Sequence, residues 1–301
     1  MVRFILLLAI LFSCGAVNAQ DRPVPIPVIY EGTVKIESED PQLKDLVWHR
    51  WTAGKFTILA LNDQQGKYLA QNVNNIKYWA LSRWGLPDVP LSAECRLLCV
   101  YDAQLMNKLF RLTRSRVETR KENSQIKMYA GWLLTNADPS VTLPVPLTQV
   151  CLSQVDQVYG LGLGFWAKRG FGQLNLPVAK IKEEIVALHQ HLTTGKSVYF
   201  SKTLLNMEQS SYDKLSDEDK NLFDRQCMVM VLLLRKEFGQ QKLHAFMNSD
   251  NNNPELLLRR VYLFRDYSQF DVSLMRYMGD LCKDVLNSKT PDSYLSITPA
   301  K

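Results

Sequence analysis

Apolar positions along the chain follow two different rhythms, changing near residue 143. Before that point short apolar runs predict strands at 28–36, 55–61, 96–101 and 126–135. Between them, Leu69, Val73, Ile76, Ala80 and Trp84 share one face of a predicted helix over 68–84, which Gly85 and Pro87 end. Asp102 is a good N-cap for a further helix reaching about Arg111. Pro23, Pro25 and Pro27 favour an extended lead into the first strand.

From residue 144 onward the pattern is helical. Helices are predicted at 144–159 and 165–173 around a turn at 160–164, and at 180–192, where Ile181, Ile185, Leu188 and Leu192 form one stripe. Ser216 and Asp219 form a capping-box-like start to a long helix ending before Gly239. Its segment from Cys227 to Leu234 is apolar all round, as expected of a central core helix. Asn253-Pro254-Glu255 opens another helix, and a last one is expected over 268–286. The predicted class is α+β: a mixed α/β half with a small sheet over 20–143, an α-helical half over 144–287, and a polar, loosely attached tail at 288–301.

Residues 1–19 carry one charge at Arg3, an apolar run from Phe4 to Phe12, and small residues at Val17 and Ala19. That order is the order of a cleavable export signal, and the run is too short to cross a bilayer. A secreted or periplasmic location is expected. Lipid attachment at Cys14 fits less well, because Phe12 is bulky where small residues are usual. No later segment predicts a transmembrane span, since the apolar block from Met228 to Leu234 is short and flanked by charge.

The net charge of +6 over 301 residues is mild and dispersed, and no nucleic-acid partner is expected. The cluster Arg111, Arg114, Arg116, Arg120 and Lys121 reads as a solvated helix or loop face in preference to a contact for an anionic surface. Beyond Cys14 the cysteines are Cys95, Cys99, Cys151, Cys227 and Cys282, an odd set without a repeated framework. Cys95 and Cys99 would lie about 13 Å apart on one strand face, too far for a disulfide. Buried free thiols are expected.

The chemistry-bearing residues are sparse. A zinc-peptidase helix needs two histidines four apart, with a glutamate as base. Of His49, His189, His191 and His244, no two have that spacing, and His189 and His191 diverge by about 200° around a helix. Gly-x-Ser-x-Gly and phosphate-loop signatures are absent. The glycines at 160, 162 and 164 follow a helix, so they read as a connector rather than a nucleotide loop. The run Asp217-Glu218-Asp219 suits the first turn of a helix, where the dipole favours negative charge.

The order of elements is more telling. A strand containing Lys55-Phe56-Thr57-Ile58, a helix ending in Trp84-Gly85-Leu86-Pro87 and a strand leading to Val100-Tyr101-Asp102 fill the first half. The second opens with a helix around Leu147 to Val155, followed by Gly164-Phe165-Trp166-Ala167-Lys168-Arg169-Gly170-Phe171-Gly172 and, later, Leu232 to Leu243. Over roughly residues 50–285 this succession resembles the peptidase MA-like, or gluzincin, zinc peptidases. In that family a His-Glu-x-x-His helix precedes a Trp-Leu-x-Glu-Gly-x-Ala helix that carries the third ligand.

What the resemblance implies is a fold without its metal chemistry. Gln149 and Ser153 stand at the two histidine positions, Val150 at the general base and Arg169 at the third ligand, while Trp166 and Gly170 agree with the family. An arginine stays charged and cannot coordinate a cation, so no metal and no cofactor is expected. Arg169 is expected to take the vacated position and bond Gln149, Ser153 or Asp156, with Asp156 and Trp166 as further cleft residues. The implied function is an exported, catalytically inactive peptidase-like protein that binds a peptide or protein in the former cleft. A hydrolase using Glu183, Glu184, His189 and Asp156, and a structural envelope component, are the alternatives; oligomeric state is left open.

Overall fold

Six strands form one mixed sheet in the computed structural model, which describes residues 26–35, 44–82, 90–112, 115–123, 125–134, 143–159, 163–247 and 253–295. The expected export signal lies outside the described residues, as do Trp84, Gly85, Leu86, Pro87 and Arg114. The strands are β1 (Val28–Lys35), β2 (Val47–Ala53), β3 (Phe56–Ala60), β4 (Glu94–Val100), β5 (Arg116–Glu122) and β6 (Gln125–Leu134), in the order β1-β2-β3-β4-β6-β5. β3, β4 and β6 run parallel, and antiparallel pairs finish both edges.

Two strands escaped the sequence pattern. β2, Val-Trp-His-Arg-Trp-Thr-Ala, lacks an apolar run, yet Trp48 and Trp51 project into cores on opposite faces of the sheet. The hairpin from β2 to β3 closes through Gly54 at φ +61°, a left-handed conformation that glycine adopts without steric cost. β5, Arg-Val-Glu-Thr-Arg-Lys-Glu, is an edge strand with one apolar residue. Thus Arg116, Arg120 and Lys121 belong to a strand rather than to a helix or loop face.

β4 shows how the sheet sorts its side chains. Cys95, Leu97 and Cys99 enter the core shared with α1 (Asp63–Ser82), while Leu98 and Val100 face the opposite side, where Met106 of α2 (Ala103–Phe110) packs. α1 begins at 63 rather than 68, because the Asn62 side chain accepts from the Gln65 N–H at 3.1 Å. Gly66 lies in the first turns of α1, where an added Cβ would sit 2.8 Å from Trp51, so the glycine permits close seating on the sheet. Asp102 caps α2 as expected, accepting from Leu105 N at 2.7 Å.

The pivotal element is α3 (Pro144–Tyr159), buried on two sides. Leu147 and Val150 pack into the sheet core, whereas Cys151, Leu152 and Val155 pack into the helical core. A buried polar knot reinforces the junction: Tyr129 Oη donates to Gln154 Oε1 at 2.7 Å, and Ser92 Oγ donates to the same oxygen at 3.1 Å.

Beyond α3 come α4 (Phe165–Leu174), α5 (Val178–Thr193), α6 (Ser201–Asn206), α7 (Gln209–Asp213), α8 (Asp217–Lys236), α9 (Gln240–Met247), α10 (Pro254–Tyr262), α11 (Tyr267–Leu286) and α12 (Asp292–Leu295). α8 is the core helix: every residue from Gln226 to Leu234 is buried, and Ser216 caps it by accepting from Asp219 N at 3.1 Å. α5 buries Ile181, Ile185 and Leu188 as its stripe implies. In the described part of the expected tail, Leu295 is fully buried and Asp292 meets Lys182 Nζ at 2.6 Å, while 296–301 lie outside the described residues. Cys95, Cys99, Cys151, Cys227 and Cys282 are all buried, and no disulfide joins them. Among the described residues no helix is long and apolar enough to cross a membrane.

Candidate functional site

A cleft of about 140 Å³ opens where the outer edge of the sheet meets the helical half. Ser115, Arg116 and Val117 line it from the sheet side, with Arg111 and Leu112 just after α2. Gln149 of α3, Arg169 of α4, Gln209, Tyr212 and Asp213 of α7, and Lys220 of α8 complete the wall. Two positions singled out by the family resemblance, Gln149 and Arg169, therefore share one cleft.

Arg169 is buried and fully engaged. Its Nε donates to Asp224 Oδ1 at 2.7 Å, its Nη2 donates to Asp224 Oδ2, and Nη2 also donates to Tyr212 Oη at 2.8 Å. Tyr212 Oη donates in turn to Asp224 Oδ2 at 3.0 Å, closing a three-residue ring of bonds. Burial opposes the guanidinium charge, but Asp224 more than offsets it and holds the Arg169 pKa above its ordinary value. The expected bonds from Arg169 to Gln149, Ser153 or Asp156 are absent. A planar, bidentate guanidinium matches the Asp224 carboxylate, which offers charge and two oxygens at once.

Other expected positions separate. Val150 is fully buried in the sheet-side core. Ser153 is half-buried and lines no part of this cleft. Asp156 accepts from Leu163 N at 3.0 Å and from Lys168 Nζ at 3.1 Å, so it orders the approach to α4. Trp166 turns into the core against Phe246, with ring centroids 5.8 Å apart, rather than into the cleft. Gly170 has a steric role: a Cβ there would lie 2.5 Å from the Cys227 carbonyl oxygen, so α4 and α8 touch backbone to backbone.

Of the candidate groups for other hydrolytic chemistry, Glu183, Glu184 and His189 lie on α5 and Asp156 on α3, and each carboxylate is ion-paired. Glu183 is paired with Lys180, Glu184 with Arg225 at 2.6 Å, and Asp156 with Lys168. Among the described residues no three His, Cys, Asp or Glu side chains gather where they could hold a metal ion. At the cleft itself a zinc ion does not fit the residues present, because Arg111, Arg116, Arg169 and Lys220 bring positive charge and the lining holds no histidine or cysteine.

Sequence reasoning missed Tyr212, Asp224 and Arg116. Asp224 carried a signal: it lies three residues before Cys227 and seven before Val231, on the face of α8 that meets α4. An acid on a core face calls for a buried cation. Comparison with protein-family models, curated proteins and solved structures finds no match to this chain.

Proposed function

We propose that this chain is an exported, gluzincin-like protein without catalytic zinc chemistry, which binds a peptide or protein in the cleft between its sheet and its helical half. The observation that carries the reading is Arg169. At the position where the family resemblance places a metal-binding glutamate, this chain has a guanidinium bonded to Asp224 and Tyr212 while still lining the cleft. Such a site neither polarises a carbonyl through a metal nor activates water beside one.

The cleft also suits an extended ligand. β5 is the last strand of the sheet order and contributes Arg116 and Val117 to the wall. An edge strand offers unpaired N–H and C=O groups with which a peptide backbone can pair. The test is direct: purify the secreted form, measure bound zinc by elemental analysis, and assay cleavage of a mixed peptide library with and without chelator. The expected result is substoichiometric zinc and no chelator-sensitive cleavage. Stoichiometric zinc with cleavage abolished by chelator would overturn the reading.

A further inference from the structure

We infer that the cleft binds a carboxylate group of its peptide, seated beside Gln149 and Lys220; the inference rests on the peptide-binding reading above. Gln149 is only 9 % exposed, faces the cleft, and leaves its Nε2 buried without a hydrogen-bond partner. A ligand that accepts from this amide supplies the partner it lacks. Rotating the carboxamide about its last bond turns the NH₂ towards the cleft, an orientation that an anion would select. Arg116 repeats the pattern on the opposite wall: its Nη2 is held by Glu118 and Asp213, while its Nε is buried and unbonded.

Charge specifies the ligand further. Arg169 is neutralised by Asp224, and Arg116 has both Glu118 and Asp213. Asp213 is also held by Gln209 Nε2 at 2.7 Å. Lys220 has no carboxylate within ion-pair distance among the described residues; its Nζ lies 6.0 Å from the centre of the Tyr212 ring. Arg111 stands exposed at the mouth. The four cations Arg111, Arg116, Arg169 and Lys220 thus face three carboxylates, which leaves one positive charge in surplus. That surplus suits a monoanion, a carboxylate, better than a phosphate dianion.

The experiment uses the full secreted chain labelled with ¹⁵N. The probes are acetyl-triglycine with a free C-terminus, the same peptide as its amide, acetyl-Gly-Asp-Gly-amide, and inorganic phosphate. The readout is the side-chain NH₂ resonances of Gln149, identified by their disappearance in Gln149→Met. One or both carboxylate peptides are expected to shift these resonances, with the neutral amide leaving them in place. Lys220→Met should weaken the effective peptide by about tenfold. Which of the two acts tells a terminal carboxylate from a side-chain one.

Equal shifts with the neutral amide, or shifts with phosphate but with neither carboxylate peptide, overturn the inference. If carboxylate and amide peptides alike move only backbone resonances of Arg116 and Val117, peptide binding stands and the carboxylate seat falls. If no peptide moves any resonance, both fall.

Discussion

At the residue scale the defining arrangement is one guanidinium with one carboxylate in a nearly dry site. Arg169 and Asp224 are each less than a tenth exposed, so removing either strands the other as a buried, uncompensated charge. Arg169→Met is expected to lose about 3–5 kcal/mol of unfolding free energy by urea titration. Replacing both, Arg169→Met with Asp224→Leu, should recover most of that loss, because neither buried charge is then left without its counter-charge. Arg169 stood out in the sequence only through a resemblance, whereas its partner lay 55 residues on and could be seen only once α4 and α8 were packed.

Asp266 supplies a pH test at the same scale. It caps α11 by accepting from Gln269 N at 2.9 Å, and that bond, assisted by Arg265, holds its carboxyl below the ordinary value. A depressed folded-state pKa stabilises the protein above the ordinary carboxyl range, and that stabilisation is lost as pH falls through the folded-state value. Asp266→Asn keeps a cap that cannot titrate. Urea midpoints of the natural protein should therefore fall relative to Asp266→Asn as pH drops from about 5 to about 2. Parallel curves would deny the cap its electrostatic role.

At the element scale, legibility followed burial. Helices with a continuous apolar face, α3, α5, α8 and α11, were read from spacing and capping residues within a few positions of their observed ends. β2 and β5 were not, because a strand whose exposed residues are polar and whose buried ones are isolated has no run to detect. The cleft suffered from the same blindness, since β5 forms its outer wall and its arginines read as a solvated cluster. α4 carries a sharper prediction. Gly170 sits where an added methyl would meet the Cys227 carbonyl at 2.5 Å and Val231 at 2.7 Å. Gly170→Ala must push α4 off α8, at a cost of about 1–3 kcal/mol or more in denaturation, and should disturb the Arg169–Asp224 bonds that span the same two helices. Its tyrosine fluorescence or the Arg169 Nε–H resonance would report that second effect separately from stability.

At the scale of the whole molecule, the question is whether the sheet and the helical half are separable. α3 argues that they are not. Leu147 and Val150 belong to the core under the sheet, Cys151, Leu152 and Val155 to the core around α8, and no residue of linker separates the two sets. A helix cannot retain half of its cylinder when the other half loses its packing, because its hydrogen bonds run along the axis through both. The polar knot at Gln154 ties β6 and residues 90–92 to the same helix. Hydrogen exchange under native conditions should therefore find the slowest amides of β3 and β4 opening with the same free energy as those of α8. Phe171→Ala, which empties a fully buried site wholly on the helical side, should lower that common value by about 3–5 kcal/mol in both halves. A drop confined to α8, with β3 and β4 unchanged, would mean that α3 divides under load and that the cleft walls can move independently. One shared drop would instead make the cleft a rigid feature of a single cooperative unit, with Arg116 and Gln149 held at a fixed separation before any ligand arrives.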